Sequence, residues 1–365
     1  MLTFFVFLGV LSVLVLIHEL GHFMAAKYFG IRVDEFAFGL PFTKPIWKFQ
    51  HGEVQYAIYP LIFGGFVKLH GEENEVKDDK KRSFWDRGRR QRMIVLVAGV
   101  TMNILLSLAL FVTLYLVLGV PDKSVNLVTV NFVEPESPAA ISGFLISDRV
   151  ISVNGQAMVT IPDFSLSMTK YAGTPTNVLI RRGPTVPLFE GIVEKTSQEM
   201  TLVVIPRVNP PKGQGALGVS ISEYPYVQVN KSGNVLLASL RVTGKWIERV
   251  FDGFRSIGKS LVAGKKPEGV AGPIGIYQLT GLVAGEGILP IIELIAILSV
   301  NLAIFNVLPI PALDGGRMFF IWLEWVRRKR ISAELEAKIN NWGMVFLLTL
   351  IALISLQDVI KIWWR

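Results

Sequence analysis

The chain has 365 residues, of which 51% are hydrophobic and only 18% charged. Soluble domains carry about 25% charge, so composition argues against an ordinary cytosolic enzyme, and the apolar content excludes a disordered chain. Cysteine is absent, which removes disulfide frameworks, thiolate metal sites and cysteine nucleophiles together. The net charge of +8 sits largely beside apolar runs, where basic residues mark topology and contact with membrane lipids; no nucleic-acid partner is expected.

A bilayer core of about 30 Å needs ~20 residues of apolar helix, and four segments qualify. Residues 1–28 are the first; before Lys27 its ionisable side chains are His18, Glu19 and His22. A cleaved leader is the competing reading. The lack of a basic start and the charged triplet inside the apolar run weigh against it. Residues 29–92 form a basic loop ending Lys77, Lys80, Lys81, Arg82, Arg87, Arg89, Arg90, Arg92, placed on the cytoplasmic side by that charge. The cluster Arg87–Arg92 reads as an anchor for anionic lipid. Within the loop, Glu53–Tyr59 alternates with period two and predicts a strand. Residues 93–119 are a second, uncharged span.

Residues 121–226 read as a small β-rich domain. Short β-branched runs (Val125–Val130, Arg149–Val153, Asn177–Ile180, Met200–Pro206) alternate with turns, and Asn154-Gly155 is a hairpin signal. Residues 233–287 hold an amphipathic helix, with Leu236, Leu240, Ile247, Val250, Phe254 and Leu261 on its stripe, and then a connector. That helix lies in the lipid interface or packs on the outer domain. Residues 288–320 carry the third span, in which Pro309 and Pro311 must break the helix just before Asp314. Residues 327–341 are a second basic loop. Residues 342–362 form the fourth span, closing on Lys361, Trp363, Trp364 and Arg365, an interfacial anchor pattern. The basic loops place both termini and the β-rich region outside the cytoplasm.

The chemistry is concentrated at residues 18–22, His-Glu-Leu-Gly-His. On a helix, His18 and His22 project from one face a turn apart, suited to joint ligation of one Zn²⁺. Glu19 can then serve as general base. With 4 histidines in the chain, a chance HExxH has a probability on the order of 10⁻³. A charge at bilayer depth costs ~2.5–3.5 kcal/mol, so the triplet needs a partner, and a divalent cation supplies one. An interior hydrogen-bonded triplet or a transporter's ion path is the alternative. A catalytic zinc takes a third protein ligand and keeps an open position. Asp314 is the candidate; it serves equally as the cap of a following helix. Counting 1.5 Å per residue puts His18 about 25 Å into its helix, a depth similar to that of Asp314. Asn306 is a candidate for steadying an oxyanion or holding substrate backbone, or else for helix–helix hydrogen bonding. The strand around Tyr56, followed by Gly65, is a candidate for taking substrate as an added strand, or is a plain cytoplasmic hairpin. His51 and His70 share no spacing with the first pair and read as loop residues.

Three features together resemble the site-2 protease family of intramembrane zinc metalloproteases, in its bacterial RseP-like branch. They are HELGH in the first helix, NVLPIPALDGG (residues 306–316) at the end of the third, and a PDZ-like insert. The insert is carried by Ser137, Pro138, Ala139, Gly143, Asp148, Asn154 and Gly155, with Ser147 where Gly is usual; one such domain is read, not two. Gly64–Lys68, Gly272–Ile276 and Ser299–Leu302 match further. Gly99–Asn103 matches the second-helix motif without its proline. The resemblance implies a polytopic α-helical membrane protein of about four transmembrane helices with a PDZ-like domain and a membrane-associated β-element. It implies one zinc per chain on His18, His22 and Asp314, with Glu19 activating water and Asn103 near the substrate. The implied activity is cleavage of single-pass transmembrane proteins, such as anti-sigma factors or signal-peptide remnants, in the bacterial inner membrane. The competing classes are a PDZ-bearing adaptor without catalysis, which needs no HExxH, and a transporter, which would show internal repeats.

Overall fold

The computed structural model describes residues 1–72, 79–264 and 272–363. Lys77 lies outside them, as do the side chains of Leu261 and of the anchor residues Lys361, Trp363, Trp364 and Arg365. The chain runs α1 (Leu2–Tyr28), β1 (Val33–Leu40), β2 (Trp47–His51), β3 (Val54–Ile58), β4 (Leu61–Leu69) and α2 (Arg89–Leu118). There follow β5 (Val120–Val133), α3 (Pro138–Ile141), β6 (Arg149–Val153), β7 (Gln156–Ala157), α4 (Ile161–Lys170), β8 (Thr176–Arg182), β9 (Thr185–Leu188), β10 (Gly191–Glu194), β11 (Gln198–Val204) and β12 (Val219–Asn230). The last part is helical: α5 (Val235–Val262), α6 (Pro273–Gly285), α7 (Ile288–Val307), α8 (Asp314–Arg327) and α9 (Ala333–Trp363). Two compact units result, one from residues Met1–Thr113 with Ser239–Arg365, the other from Leu114–Ala238.

In the first unit, α1, α2, α7 and α9 are long and apolar enough to cross a membrane. Between α1 and α2 sits a four-stranded sheet in the order β2-β3-β1-β4. β3 pairs parallel with β1 and antiparallel with β2. The predicted strand at 53–59 therefore exists but is internal, with both edges paired; it cannot take an added strand, and the free edges belong to β2 and β4. Period-two alternation reports that a strand is half-buried, not where it stands in a sheet.

Three further expectations change. The third apolar segment is not one element to residue 320: α7 stops at Val307, because Pro309 and Pro311 lack the N–H groups a helix needs, and a separate helix begins at Asp314. The basic loop at 327–341 shrinks to the five positions between α8 and α9. Ser332 Oγ accepts from Leu335 N–H (3.4 Å), and Glu334 and Glu336 fall in the first turn of α9, where acidic groups favour a helix start; charge made this helix entrance read as loop. Of the basic cluster, Arg89, Arg90 and Arg92 are already in α2. Arg92 is 1% exposed and ion-paired with the equally buried Glu324 of α8, so it anchors no lipid.

The connector after α5 contains α6, which starts with Pro273 in its first turn. The α6 helix packs on α1 through Tyr277 and Phe7, ring centroids 5.5 Å apart. Its amino end is held by Asp358 of α9, which accepts from Gly272 N–H (3.0 Å) and Gly275 N–H (3.2 Å). Within the same unit, Phe254 of α5 packs edge-on against Phe305 of α7, ring centroids 5.0 Å apart.

The second unit is an eight-stranded sheet ordered β11-β8-β6-β5-β12-β10-β9, with β7 on β6. Its core gathers Val128, Val130, Phe144, Val150, Phe164 and Ile180, each at most 2% exposed. Asn154 (φ 46°) and Gly155 (φ 82°) make the β6–β7 turn, both left-handed as a type I′ hairpin requires. Ser137 caps α3 by accepting Ala140 N–H (3.1 Å). Buried Asp148 is gripped by Arg182 through two bonds of 2.7 Å.

Candidate active site

The site is assembled by α1, α2, α7 and α8. His18 and His22 lie on one face of α1, both buried, with Nε2 atoms 3.1 Å apart. Asp314, the first residue of α8, brings Oδ2 to 2.9 Å from His18 Nε2 and 3.2 Å from His22 Nε2. Three Lewis bases thus converge from positions nearly 300 residues apart in sequence. Tetrahedral zinc at ~2.0–2.2 Å holds its ligands ~3.3–3.6 Å from one another, so this triangle admits the ion with shifts of a few tenths of an ångström.

The outer contacts come from α2. His22 Nδ1 donates to the Val95 carbonyl (2.8 Å), which leaves Nε2 with its lone pair facing the triangle. Asn103 Nδ2 lies 3.3 Å from His18 Nδ1, and Asn103 Oδ1 has no partner among the described residues. With the amide turned so that Oδ1 faces the ring, it accepts from His18 Nδ1–H and fixes the same tautomer. Asn103 is fully buried; the structure places it behind a histidine rather than toward a substrate.

Two glycines permit this. A Cβ at Gly99 would lie 2.5 Å from His22 Nε2 and 2.8 Å from His18 Cε1; one at Gly21 would lie 2.4 Å from the Ala98 carbonyl oxygen. The α1 and α2 helices approach closely because both positions lack a side chain, the small-residue device of membrane helix pairs.

Glu19, next to His18 on α1, reaches the sheet beside the histidine pair. Its Oε2 accepts from Val67 N–H of β4 (3.0 Å). Glu72 accepts similarly from Leu69 N–H (3.2 Å) and pairs with Arg317 of α8. These amides therefore face away from β1, and by the period of a strand the Gly65 amide does too. Gly65 seats β4 where a Cβ would press on the Ala37 carbonyl oxygen at 2.9 Å. A cavity of ≈ 300 Å³ runs beside this edge and is lined by Glu19, His22, Val67, Glu72, Asp314 and Arg317 among others. Asn306, near the end of α7, brings Nδ2 to 3.2 Å from His18 Nε2. Tyr56 is not brought to the cavity; its ring packs on Phe36 at 6.1 Å, between strands. His70 pairs with Asp34 (Nδ1 to Oδ2 3.2 Å) and His51 lies on exposed β2.

Two buried histidines with a partly buried aspartate, an adjacent glutamate and four helices long and apolar enough to cross a membrane define a membrane zinc metalloprotease. Comparison with known proteins gives the same class. The model of Peptidase family M50 matches residues 6–350. A Clostridium perfringens protein designated a zinc metalloprotease is 33% identical over 351 residues, 96% of each chain. The zinc metalloprotease RasP of Geobacillus kaustophilus is 27% identical, 97% of each chain being covered. The chloroplastic membrane metalloprotease ARASP of Arabidopsis thaliana is 29% identical across 97% of this chain and 78% of its own. The chain belongs to peptidase family M50, the site-2 proteases.

Proposed function

We propose that this chain hydrolyses peptide bonds inside the transmembrane segments of single-pass membrane proteins, with His18, His22 and Asp314 holding one Zn²⁺ and Glu19 as the general base. The observation that carries the assignment is the convergence of three ligand atoms, all within 4.8 Å of one another, two of them on buried histidines of an apolar helix. Zinc in that cradle supplies Lewis-acid polarisation of the scissile carbonyl and of the attacking water. Glu19 takes the water's proton and delivers it to the leaving amide nitrogen. Asn306 Nδ2 supplies a neutral donor for the developing oxyanion.

A transmembrane helix conceals its peptide bonds, so substrate must be extended before attack. The free edge of β4 supports strand addition there, at Gly65, Val67 and Leu69, rather than at β3. The Val67 amide is held by the Glu19 carboxylate. A substrate carbonyl adding at Val67 takes over that amide and frees Glu19 to act as base, which couples binding to activation. The motif residues Ser137, Asp148, Asn154 and Gly155 all serve turns or caps in the β-rich unit, which supports a PDZ-like domain acting as a size filter or tail sensor. The basic stretches support an inner-membrane orientation with that unit and both termini outside. Regulated intramembrane proteolysis of anti-sigma factors or signal-peptide remnants is the biological setting this reading implies.

The test uses the purified full chain and a reporter transmembrane helix. Cleavage should depend on bound zinc and vanish in Glu19→Gln while the zinc stays. Unchanged cleavage by that variant, or turnover without metal, rejects the assignment.

A further inference from the structure

The turn that delivers Asp314 is held by a helix to which the chemistry above gives no part. Leu313 N–H donates to the Ile310 carbonyl (3.2 Å) and closes a turn over residues 310–313. Pro311 stands at its second position and Ala312 at its third, with φ of 76°. This is the arrangement of a type II turn, whose third position ordinarily takes Gly or Asn. The central peptide of the turn lies against α9 at both ends. Its N–H, on Ala312, donates to Asn340 Oδ1 (3.2 Å). Its carbonyl, on Pro311, packs on buried Gly343, where a Cβ would fall 2.7 Å from the carbonyl carbon and oxygen. Asn340 also lines the cavity shared with Glu19, His22 and Asp314.

We infer that Asn340 is a positioning residue for the metal centre. By accepting the Ala312 N–H it holds the Pro311–Ala312 peptide in the type II orientation, and so sets Asp314, two residues on, against the histidine pair. An alanine at positive φ is strained. Turning the peptide over gives the type I arrangement, with φ negative at the third position, and relieves that strain. The hydrogen bond to Asn340 opposes the change, and Gly343 leaves the room that lets α9 come close enough to make it. The inference deepens the zinc-protease reading and rests on it.

Zinc affinity of the detergent-solubilised full chain, measured by competition with a chelator, tests it, with reporter cleavage alongside. Asn340→Ala should weaken zinc binding by about 10-fold or more, as loss of outer contacts to a metal site does, and should lower kcat more than it raises KM. Adding Ala312→Gly should restore most of the affinity, because glycine adopts the turn without help. Ala312→Val, which leaves α9 untouched and disfavours positive φ, should weaken zinc binding by itself and serves if Asn340→Ala does not fold. Parental affinity in Asn340→Ala or in Ala312→Val overturns the inference, as does a folded Asn340→Ala that Ala312→Gly fails to recover. A parent chain that binds no zinc overturns the protease reading itself, so the two failures are distinct.

Discussion

Two polar clusters in the helical unit, around Glu324 and around Asp314, are built on opposite principles. Around Glu324 the charges close on themselves. Arg92 pairs with it, Arg89 approaches to 3.7 Å, and Ile331 N–H donates to its second oxygen. The Arg92 guanidinium also lies 5.3 Å from the Trp85 ring centre. Around Asp314 the near neighbours are two imidazoles whose ring nitrogens are themselves Lewis bases, with both Nδ1 atoms engaged by α2. The first cluster pairs opposite charges and joins α2 to α8. The second is arranged to receive a cation. Burial cost alone would flag both clusters as functional; only the sign and direction of the lone pairs separates a fastener from a reaction centre.

The difference can be broken experimentally. The largest expected effect is Glu19→Gln, which should lower cleavage of a transmembrane reporter by about 10²–10⁴-fold, the range for losing a general base, with zinc content unchanged by metal analysis. Next is Gly99→Ala, whose Cβ would collide with both histidine rings. It should weaken zinc binding by about 10–100-fold while circular dichroism shows intact helix content; parental affinity would mean that the ring positions are not what fixes the ion.

The fastener should behave differently. Glu324→Gln leaves Arg92 buried without its counter-charge and should cost about 3–5 kcal/mol of stability in thermal or denaturant unfolding. Replacing Arg92 and Glu324 together by leucine should recover most of that loss; no recovery would make the pair more than a fastener. The smallest effect on chemistry belongs to Asp148→Asn in the β-rich unit. Losing the charged bonds to Arg182 should cost about 1.5–3 kcal/mol there, with zinc affinity unaltered.

Much of the site was legible because its information is local. HELGH sets two histidines and a glutamate at helical spacing, and the prolines ahead of Asp314 announce the break that lets an acid turn inward. What the sequence concealed is relational. Tyr56 sits on a strand of the right pattern, yet β3 is enclosed by β1 and β2, and the edge beside the histidine pair is that of β4. Arg92 stands in a basic run that reads as lipid-facing, yet its partner lies 232 positions away. Asn103 could be placed near the site by motif, but its contact with His18 Nδ1 depends on how closely α1 and α2 approach.

By itself the sequence determined the membrane-spanning character, the zinc-ligand pattern and a β-rich insert, because apolar length, i to i+4 spacing and turn chemistry are properties of short stretches. Tertiary structure alone decided which strand edge is open, which buried charges are already neutralised, and that α9 grips the turn before Asp314. Each of these depends on which distant surfaces meet, and a residue's neighbours across the fold are set by packing rather than by its own segment.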